Sequence, residues 1–317
     1  MATDQHRPIA TTTGKDKNTV VGNTLPAKLA NATLLGNYPS SSPEWHEMRA
    51  TRIGGSEVGA IAGESKYESA SSLWAKKTGK IPSQQTENEF MYWGKALEPV
   101  VIDRFERDHP ELTVYRDAGT WVNNEYDFML ANPDAILLDQ MGQHGILEIK
   151  TARYDDDWRD GVPKYYQTQV QWYLRTFGFD YAYLACLFAG SNYQEFTIMA
   201  DPMWQEHDLE KVQEFLMCVI SDIRPNWDGS EATLQTVREL NPDISYDATV
   251  ELGALGADYL DAVSDLTEHK SKVNRLSSEI IDQMNTARIG NVGGEAKIIR
   301  QSRTGSKPYL MKKRGAK

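Results

Sequence analysis

The chain has 317 residues, of which 40% are hydrophobic and 10% aromatic; this composition supports one large core or two smaller ones and excludes an intrinsically disordered protein. The net charge of −11 excludes a surface that attracts polyanions everywhere, and the two cysteines are too few for a four-cysteine metal site. No apolar run reaches the roughly 18 residues of a membrane span and residues 1–31 lack the apolar segment of a signal peptide, so we expect a soluble, cytoplasmic protein without a membrane partner.

Two segments of different composition open the chain. Residues 1–37 are rich in Thr, Asn, Gly and Lys and lack hydrophobic periodicity, which predicts a flexible leader. Residues 38–228 are predicted to form one compact domain, because dense apolar runs alternate there with turn-forming residues.

Helical and strand-like patterns alternate within that predicted domain. Apolar residues with helical spacing occur in segments 94–108, 165–176 and 204–223. Strand-like runs occur in segments 120–122, 135–138, 146–150, 181–188 and 194–199. This order predicts an α/β core with a mixed central sheet flanked by helices.

Residues 229–317 are predicted to form a C-terminal helical arm and a small basic β-hairpin. The arm covers about residues 254–287, and its heptad repeat is carried by Leu252, Tyr259, Leu266, Val273 and Ile280. This spacing fits either a coiled coil or a helix packed on the domain, since the intervening heptad positions are only partly apolar. Segments 297–301 and 309–312 flank the turn-forming residues 304–306, which predicts the hairpin.

The C-terminal segment differs in charge from the rest of the chain. Residues 294–317 contain eight Lys or Arg and one acid, a net charge of +7 that leaves −18 on the remainder. Such a basic segment either meets an acidic partner such as nucleic acid or is a solvated end, and both interpretations stay open.

Two acids and a lysine are predicted to meet at one hairpin. Asp134 and Glu148 lie on two apolar runs separated by the turn-forming residues 139–145, so a hairpin places them opposite each other. Because side chains alternate along a strand, Glu148 and Lys150 share the face of Asp134 while Ile149 points into the core. Carboxylates are ligands that Mg²⁺ prefers, and a neighbouring lysine can orient or deprotonate a water, which suits phosphodiester hydrolysis. The alternative is a surface hairpin with scattered charges.

Two polar side chains on predicted helices fit the same site. Glu98 projects from the apolar helix face to which Phe105 belongs, where a carboxylate needs a partner such as a metal ion. The alternative is an acid of the first helical turn, marked by Pro99 and favoured by the helix dipole. Gln169 and Tyr173 are four residues apart and share a helical face, although a solvent-facing glutamine on an amphipathic helix has the same pattern.

Together these residues resemble the PD-(D/E)XK nuclease superfamily, whose motif stands here as Asn132-Pro133-Asp134 followed by Glu148-Ile149-Lys150. The resemblance is closer to the phage lambda exonuclease family, also called YqaJ-type viral recombinases, and covers roughly residues 45–223. Three further motifs of that family occur in its order, namely residues 45–57 (WHEMRATRIGGSE), residues 93–99 (WGKALEP) and Gln169-Val170-Gln171. Four motifs in order are much more specific than any one of them.

The resemblance implies a metal-dependent exonuclease that digests linear double-stranded DNA from 5′ to 3′ and leaves 3′ overhangs for phage-type homologous recombination. It implies two Mg²⁺ ions as cofactors, for which Mn²⁺ would substitute. The implied metal ligands are Asp134, Glu148, Glu98 and the carbonyl of Ile149. Lys150 would position the attacking water, with Gln169 nearby.

The family's contacts to the 5′-terminal phosphate are matched here by Arg49 and Ser56, and a guanidinium and a hydroxyl both donate to phosphate. Ser56 followed by Glu57 also has the pattern of a helix N-cap, and the two roles are compatible because a helix N-terminus attracts anions. Family members commonly carry Ser and Gly around the Pro-Asp pair, where this chain has Asn132 and Ala135. An amide can donate as a hydroxyl does, so Asn132 remains a candidate phosphate contact.

The resemblance further implies three partners: the ends of double-stranded DNA, further copies of the chain in a trimeric ring around the DNA, and a single-strand annealing protein. A ring would reconcile an acidic chain with DNA, because basic groups need line only its channel. Candidate channel residues are Lys66, Arg153, Arg159 and Lys164. If the chain is phage-encoded, it would act in the cytoplasm of the host cell.

Two other functions remain open on the sequence. An endonuclease of the same superfamily would share Asp134, Glu148 and Lys150 without needing Arg49 to recognise a free end. A non-catalytic DNA-binding recombination scaffold would use the basic hairpin, although it would have no need of metal ligands.

Overall fold

The computed structural model describes residues 24–38, 42–83, 88–154, 156–303 and 305–313. The chain divides into two compact units, Met1–Pro242 and Asp243–Lys317. None of the described helices is both long enough and apolar enough to cross a membrane.

The described residues form helices α1 to α8 and strands β1 to β13. The helices are α1 (Pro43–Ala50), α2 (Gly55–Ile61), α3 (Ala70–Lys77), α4 (Glu89–Asp108), α5 (Lys164–Phe177), α6 (Pro202–Ile220), α7 (Glu231–Leu240) and α8 (Gly253–Met284). The strands are β1 (Lys28–Leu29), β2 (Ala32–Gly36), β3 (Ile53–Gly54), β4 (Thr113–Arg116), β5 (Thr120–Asn123), β6 (Met129–Ala131), β7 (Ala135–Leu138), β8 (His144–Ala152), β9 (Tyr181–Phe188), β10 (Asn192–Met199), β11 (Ile289–Val292), β12 (Glu295–Gln301) and β13 (Tyr309–Lys312).

The central sheet of the first unit has five strands in the order β10-β9-β8-β7-β4. Strands β8 and β9 run parallel and the other neighbours run antiparallel, so the sheet is mixed as predicted. Phe105 of α4 packs on one face beside Leu147, and Trp172 of α5 belongs to the core on the other face with Ile146. Because both faces are covered, apolar residues dominate the middle strands. The predicted α/β core with helices on both sides of the sheet is confirmed.

A smaller sheet in the same unit has the order β1-β2-β5-β6-β3. Leu29 and Ala32 are buried in it, and Leu34 lies opposite Trp121 of β5. Residues 28–36 are therefore part of the fold, which corrects the flexible leader predicted for residues 1–37; positions 1–23 lie outside the described residues. Strands of two and five residues are too short to show periodicity against a polar background.

Helix α7 extends the first unit past the predicted boundary at residues 228/229. Thr233 and Thr236 are its buried side chains, and Thr233 Oγ1 donates to Ser69 Oγ at 2.7 Å, next to the start of α3. The predicted boundary is too early because the residues that α7 buries are threonines, which hydrophobic periodicity does not detect.

The second unit contains α8 and a small sheet. Helix α8 agrees closely with the predicted arm, and none of its residues is buried. The sheet has three antiparallel strands, β11-β12-β13, where the sequence predicted a two-stranded hairpin. Gly293 and Gly294 have φ of 62° and 82°, and this pair of positive values forms the tight turn that adds β11 to the predicted strands.

Candidate active site

The β7–β8 hairpin determines where the two predicted acids lie. Ala135 is opposite Leu147 in the antiparallel register, so Asp134 and Glu148, one residue beyond this pair on each strand, are opposite each other. The carboxylate of Asp139 closes the turn by accepting hydrogen bonds from two backbone amides at 2.8 Å each. The two carboxylates share one face of the sheet, as the alternation predicted.

Glu148 lies at the centre of the resulting cluster and is only 2% exposed. Its Oε1 accepts hydrogen bonds from Lys150 Nζ at 2.5 Å and from Gln169 Nε2 at 2.7 Å. Its Oε2 is buried and has no hydrogen-bond partner among the described residues. A buried carboxylate oxygen without a partner is unfavourable, which indicates that a ligand completes this site.

Asp134 is held against strand β8 by its own hydrogen bond. Its Oδ2 accepts from the backbone amide of Ile149 at 2.6 Å, while the side chain of Ile149 packs on the opposite face of the sheet. Burial, followed by the charge of Glu148, raises the pKa of Asp134 well above its usual value, and the charge of Lys150 only partly opposes this. The carboxyl pair therefore needs more positive charge than Lys150 supplies.

Lys150 is a cation in this environment. Burial lowers its pKa, but the charges of Glu148 and Asp134 outweigh burial and raise the pKa above its usual value. Its ammonium also lies 4.8 Å from the ring centroid of Tyr166. Of the two roles that the sequence left open for Lys150, orienting a water fits this protonated form.

Glu98 lies in the interior of α4, because the helix begins at Glu89 and contains Pro99 within it. The alternative that Glu98 is a first-turn acid is therefore wrong. Burial, and next the charge of Glu148, raises the pKa of Glu98. Glu98 thus belongs electrostatically to the same acidic cluster.

An open cavity of about 960 Å³ is lined by Glu98, Asp134, Ile149 and Lys150. Among the residues that the structure describes, no three His, Cys, Asp or Glu side chains already stand in metal-binding geometry. The structure brings Asp134 and Glu148 together directly, and it places Glu98 on the wall of the cavity that Asp134 also lines.

Gln169 is buried, so the alternative of a solvent-facing glutamine is wrong for this residue. Besides its bond to Glu148, its Nε2 lies 3.1 Å from the hydroxyl of Tyr173, as their helical spacing predicted. Gly55 of α2 packs on this pair, and a Cβ at Gly55 would lie 2.5 Å from the Tyr173 ring and 3.1 Å from the Gln169 carbonyl oxygen. Glycine at this position lets α2 approach α5 closely enough to build the site.

Arg49 and Ser56 meet beside α2. Arg49 Nη2 donates to Ser56 Oγ at 3.2 Å, and the guanidinium lies 4.4 Å from the ring centroid of Trp45. The N-cap of α2 is Gly54, so Ser56 lies in the first turn and the N-cap role considered for it is wrong. Since Ser56 accepts from Arg49, its hydroxyl hydrogen remains available for an anion.

Glu57 and Lys77 lie beside Arg49 and line the same pocket. Glu57 pairs with Arg49 at 3.0 Å and with Lys77 at 3.1 Å, and it accepts from the amide of Gly54 at 2.8 Å. Burial alone would raise the pKa of Glu57, but Arg49 and Lys77 together lower it below its usual value. Sequence reasoning missed Lys77 because it comes from α3, and no local spacing links α3 to Arg49.

A second cavity, of about 480 Å³, adjoins the first. It is lined by Arg49, Ser56 and Glu57 as well as by Lys150 and Gln169. Lys150 therefore lines both cavities. A chemical group bound beside Arg49 and a group bound beside Asp134 would have Lys150 as a common neighbour.

Asn132 and the predicted channel cations differ in the contacts that their side chains make. The amide oxygen of Asn132 accepts from Thr120 Oγ1 at 2.5 Å, and Asn132 lines a small pocket with Arg49, so its NH₂ group remains a candidate donor. Lys66, which pairs with Asp157, and Arg153 line the larger cavity. The remaining candidates are Arg159, which pairs with Asp156 at 2.6 Å, and Lys164, which begins α5.

A mixed sheet flanked by helices, whose central hairpin brings two acids and a lysine together, defines a protein of the α/β class predicted above. A family model for the YqaJ-like viral recombinase domain matches residues 44–180. The chain is 30% identical over 270 residues to the uncharacterized protein YqaJ of Bacillus subtilis (strain 168), which covers 82% of this chain and 83% of that protein. The chain belongs to the YqaJ-like viral recombinase family, and the predicted resemblance is confirmed.

Two solved structures are more distantly similar. An alkaline exonuclease from Laribacter hongkongensis has a TM-score of 0.49 and 21% identity, covering 57% of this chain and 94% of that chain. A phage-related exonuclease from Haemophilus somnus 129PT has a TM-score of 0.43 and 14% identity, covering 54% of this chain and 96% of that chain.

Proposed function

We propose that this protein is a metal-dependent deoxyribonuclease that hydrolyses linear double-stranded DNA from its 5′ ends and leaves 3′ overhangs for recombination. The observation that carries the proposal is the buried, unpartnered Oε2 of Glu148, opposite Asp134, which itself lines an open cavity. Two carboxylates so close together, one of them with a strongly raised pKa, favour a bound cation.

The donor set fits a hard divalent cation such as Mg²⁺, for which Mn²⁺ would substitute, because carboxylate and carbonyl oxygens are the ligands it prefers. Asp134 and Glu148 would hold the metal, with Glu98 and the backbone carbonyl of Ile149 as further ligands for a two-ion site. When bound, such ions activate a water and stabilise the leaving oxygen of the phosphodiester.

The protein's own side chains would orient the reactants. Lys150, kept protonated by Glu148 and Asp134, donates to the attacking water or to a phosphate oxygen. Gln169 fixes Oε1 of Glu148 and so keeps the direction of the other oxygen constant. Neither role requires Lys150 to lose its proton.

Recognition of a 5′ end would come from the smaller cavity. Arg49 supplies a guanidinium held between Trp45 and Glu57, Ser56 supplies a hydroxyl, and Asn132 supplies an amide. These are donors suited to a terminal phosphate. The shared wall at Lys150 would place the first phosphodiester next to the acids when the terminal phosphate occupies this cavity.

The proposed assembly and partners of this protein are based on its net charge and on its family. A chain with net charge −11 needs a local basic path for DNA, and a trimeric ring of copies would concentrate basic groups in a channel. A recombination role would pair the nuclease with a single-strand annealing protein that receives the 3′ overhang. In a phage-infected cell both would act in the host cytoplasm.

The proposal is tested by nucleotide release from linear duplexes labelled at either the 5′ or the 3′ end, with Mg²⁺, Mn²⁺ or EDTA. We expect metal-dependent release of the 5′ label first, and loss of release in Glu148→Ala. Covalently closed circular duplex serves as the control for an endonuclease. Digestion of closed circles as fast as linear DNA, or undiminished release by Glu148→Ala, contradicts the proposal.

A further inference from the structure

The small sheet of the second unit carries a row of cations on one face. The amide of Arg300 donates to the carbonyl of Arg288 at 2.8 Å, so these two arginines are opposite each other across the β11–β12 ladder. On the other side of β12, Ile298 is opposite Lys312. Because residues two apart on a strand share a face, Arg288, Arg300 and Lys312 all lie on the face of Ile298. We call these three residues the basic row.

The basic row has no ion pair among the described residues, unlike many cations of the first unit. There, Arg104 pairs with Asp108 at 2.6 Å, Arg116 with Glu106 at 2.5 Å and Arg175 with Glu206 at 2.9 Å. In the second unit the buried Nε of Arg300 also lacks a hydrogen-bond partner within the described residues.

Two arginines placed opposite each other on a sheet repel each other unless an anion lies between or above them. Residues 288–317 contain nine Lys or Arg and one acid, in a chain whose total charge is −11. A polyanion is therefore attracted to this small surface and repelled by most of the remaining chain.

We propose that the basic row is a second nucleic-acid site, separate from the nuclease centre, and that it binds the phosphate backbone of DNA. Guanidinium groups bind phosphate through two parallel hydrogen bonds, and lysine adds a point charge. Binding of this kind needs no metal and no hydrolysis, so the proposal does not depend on the nuclease assignment. For the basic C-terminal segment, the proposal favours an acidic partner over a solvated end.

The test compares two full-length triple variants of equal charge. The first carries Arg288→Gln, Arg300→Gln and Lys312→Gln; the matched control carries Lys28→Gln, Arg107→Gln and Arg238→Gln, three exposed cations of the first unit. Affinity is measured by fluorescence anisotropy in EDTA, on a duplex whose ends are closed by hairpin loops and on a single-stranded circle. Neither DNA offers a 5′ end to the nuclease centre.

We expect the first triple variant to bind DNA at least tenfold more weakly than the parent. The slope of log Kd against log salt should be smaller by about two to three, because each lost phosphate contact lowers that slope by about 0.9 on a duplex. The control is expected to keep the parent's affinity. An unchanged affinity, or an equal loss in both triples, overturns the proposal. Loss on one DNA only shows which form the site binds.

Two further measurements keep the outcome interpretable. Nucleotide release from a short linear duplex with Mg²⁺ is expected to be unchanged in the first triple, so failure of the nuclease proposal is detected separately. Thermal denaturation reports folding of the sheet. If the triple substitution unfolds the sheet, the single variant Lys312→Gln is used instead, because Lys312 is exposed. A slope of log Kd against log salt that does not fall by about one then contradicts the proposal.

A second, independent feature is the heptad seam of α8. It begins at the N-cap residue Leu252 and continues through Leu255, Tyr259, Ala262, Leu266, His269, Val273, Leu276, Ile280 and Gln283. Leu255, Tyr259 and Leu266 are 68–72% exposed, and no residue of the helix is buried. Apolar side chains at eight of these ten positions, spaced on average 3.5 residues apart, are typical of a coiled-coil partner surface.

We infer that α8 pairs with α8 of a second copy of this chain, in parallel and in register. In a parallel pair, Asp265 of each copy lies beside Lys270 of the other, which gives two attractive contacts. An antiparallel pair brings Asp265 near Lys272 but also Asp258 near Glu279, so attraction and repulsion cancel. The polar positions His269 and Gln283 meet their own counterparts only in the parallel register.

Charge exchange tests both the partner and the orientation. Asp265→Lys and Lys270→Asp are each expected to weaken self-association about tenfold, measured as the concentration dependence of mass by light scattering. The double variant restores the attractive contacts and is expected to recover the parent's affinity. An antiparallel pair would not recover, because lysine at 265 would then face Lys272.

The matched controls lie on the outer side of the helix. Ser264→Asp and Ser271→Asp are expected to leave the mass unchanged, whereas Leu266→Asp in the seam lowers it. If Leu266→Asp leaves the mass of the full chain unchanged, the seam is not a self-association surface. Nucleotide release on short duplexes is measured in parallel and is expected to be the same in all these variants.

Discussion

Lys150 and Gln169 donate to the same oxygen of Glu148, at 2.5 and 2.7 Å, and the second oxygen of that carboxylate has no partner among the described residues. The lysine comes from the same strand, whereas the glutamine comes from α5. A strand and a helix thus fix one end of the carboxylate, which leaves the other end available to a cation.

The first prediction concerns this support. Gln169→Ala removes the helix-borne donor without changing charge, and we expect kcat for nucleotide release to fall roughly 10- to 100-fold, the usual effect of losing a partner of a metal ligand. KM for duplex should change much less, because Gln169 acts through Glu148. The control is Gln167→Ala, whose amide donates to the carbonyl of Val162. Equal losses in both variants would show that helix integrity, rather than this bond, is being measured.

The second prediction is a pH dependence of the metal-free protein. Burial and Glu148 raise the pKa of Asp134, so its charged form is disfavoured in the folded state. For a carboxyl with a raised pKa, the penalty is absent below the pKa of the unfolded chain and grows as pH rises toward the folded value. In EDTA, Asp134→Asn should therefore melt several degrees above the parent at pH 8 and at the same temperature near pH 4.

Calorimetric scans across that pH range measure this difference, with the exposed Asp127→Asn as the control that should follow the parent at every pH. Added Mg²⁺ should raise the melting temperature of the parent and not that of Asp134→Asn, since only the parent keeps the ligand. If the difference in melting temperature between Asp134→Asn and the parent does not change with pH, the charged form of Asp134 does not destabilise the folded protein.

The β7–β8 hairpin was predictable because its geometry is local. Two apolar runs and one turn bring Asp134, Glu148 and Lys150 to one face, so alternation along the strands was sufficient. Gln169 followed from helical spacing, but its burial did not, since that depends on the packing of α5 against the sheet.

The surroundings of Arg49 were only partly predictable, for a physical reason. Arg49, Glu57 and Lys77 lie on α1, α2 and α3, and their contact depends on how three short helices pack. Likewise β11 was missed although Gly293-Gly294 marks a hairpin turn, because a four-residue strand with a glycine shows little alternation. Tertiary packing decides these features.

The third prediction concerns the close approach of α2 and α5. In Gly55→Ala the new Cβ would lie 2.5 Å from the Tyr173 ring, so the helices must separate, at a cost of about 1–3 kcal/mol typical of overpacking. Nucleotide release should fall as well, because Tyr173 and Gln169 move. Gly94→Ala is the matched control, since its Cβ meets nothing nearer than Thr151 Oγ1 at 3.6 Å and helix propensity favours alanine. Urea denaturation measures both; a Gly55→Ala protein as stable as the parent would contradict the packing argument.

The fourth prediction concerns selection of the DNA end. Arg49→Gln removes a guanidinium that pairs with Glu57 and lies over Trp45. We expect the preference for a 5′-phosphate over a 5′-hydroxyl to fall roughly 10- to 100-fold, because a hydrogen bond to a charged group is worth about 1.5–3 kcal/mol. The measurement is the ratio of nucleotide release rates from the two duplexes, so changes that affect both alike cancel. Arg52→Gln is the matched control, because Arg52 donates to the backbone of Asp127 and should leave the ratio unchanged. If the ratio survives in Arg49→Gln, the smaller cavity does not bind the terminal phosphate, while the metal site at Glu148 remains a separate proposition.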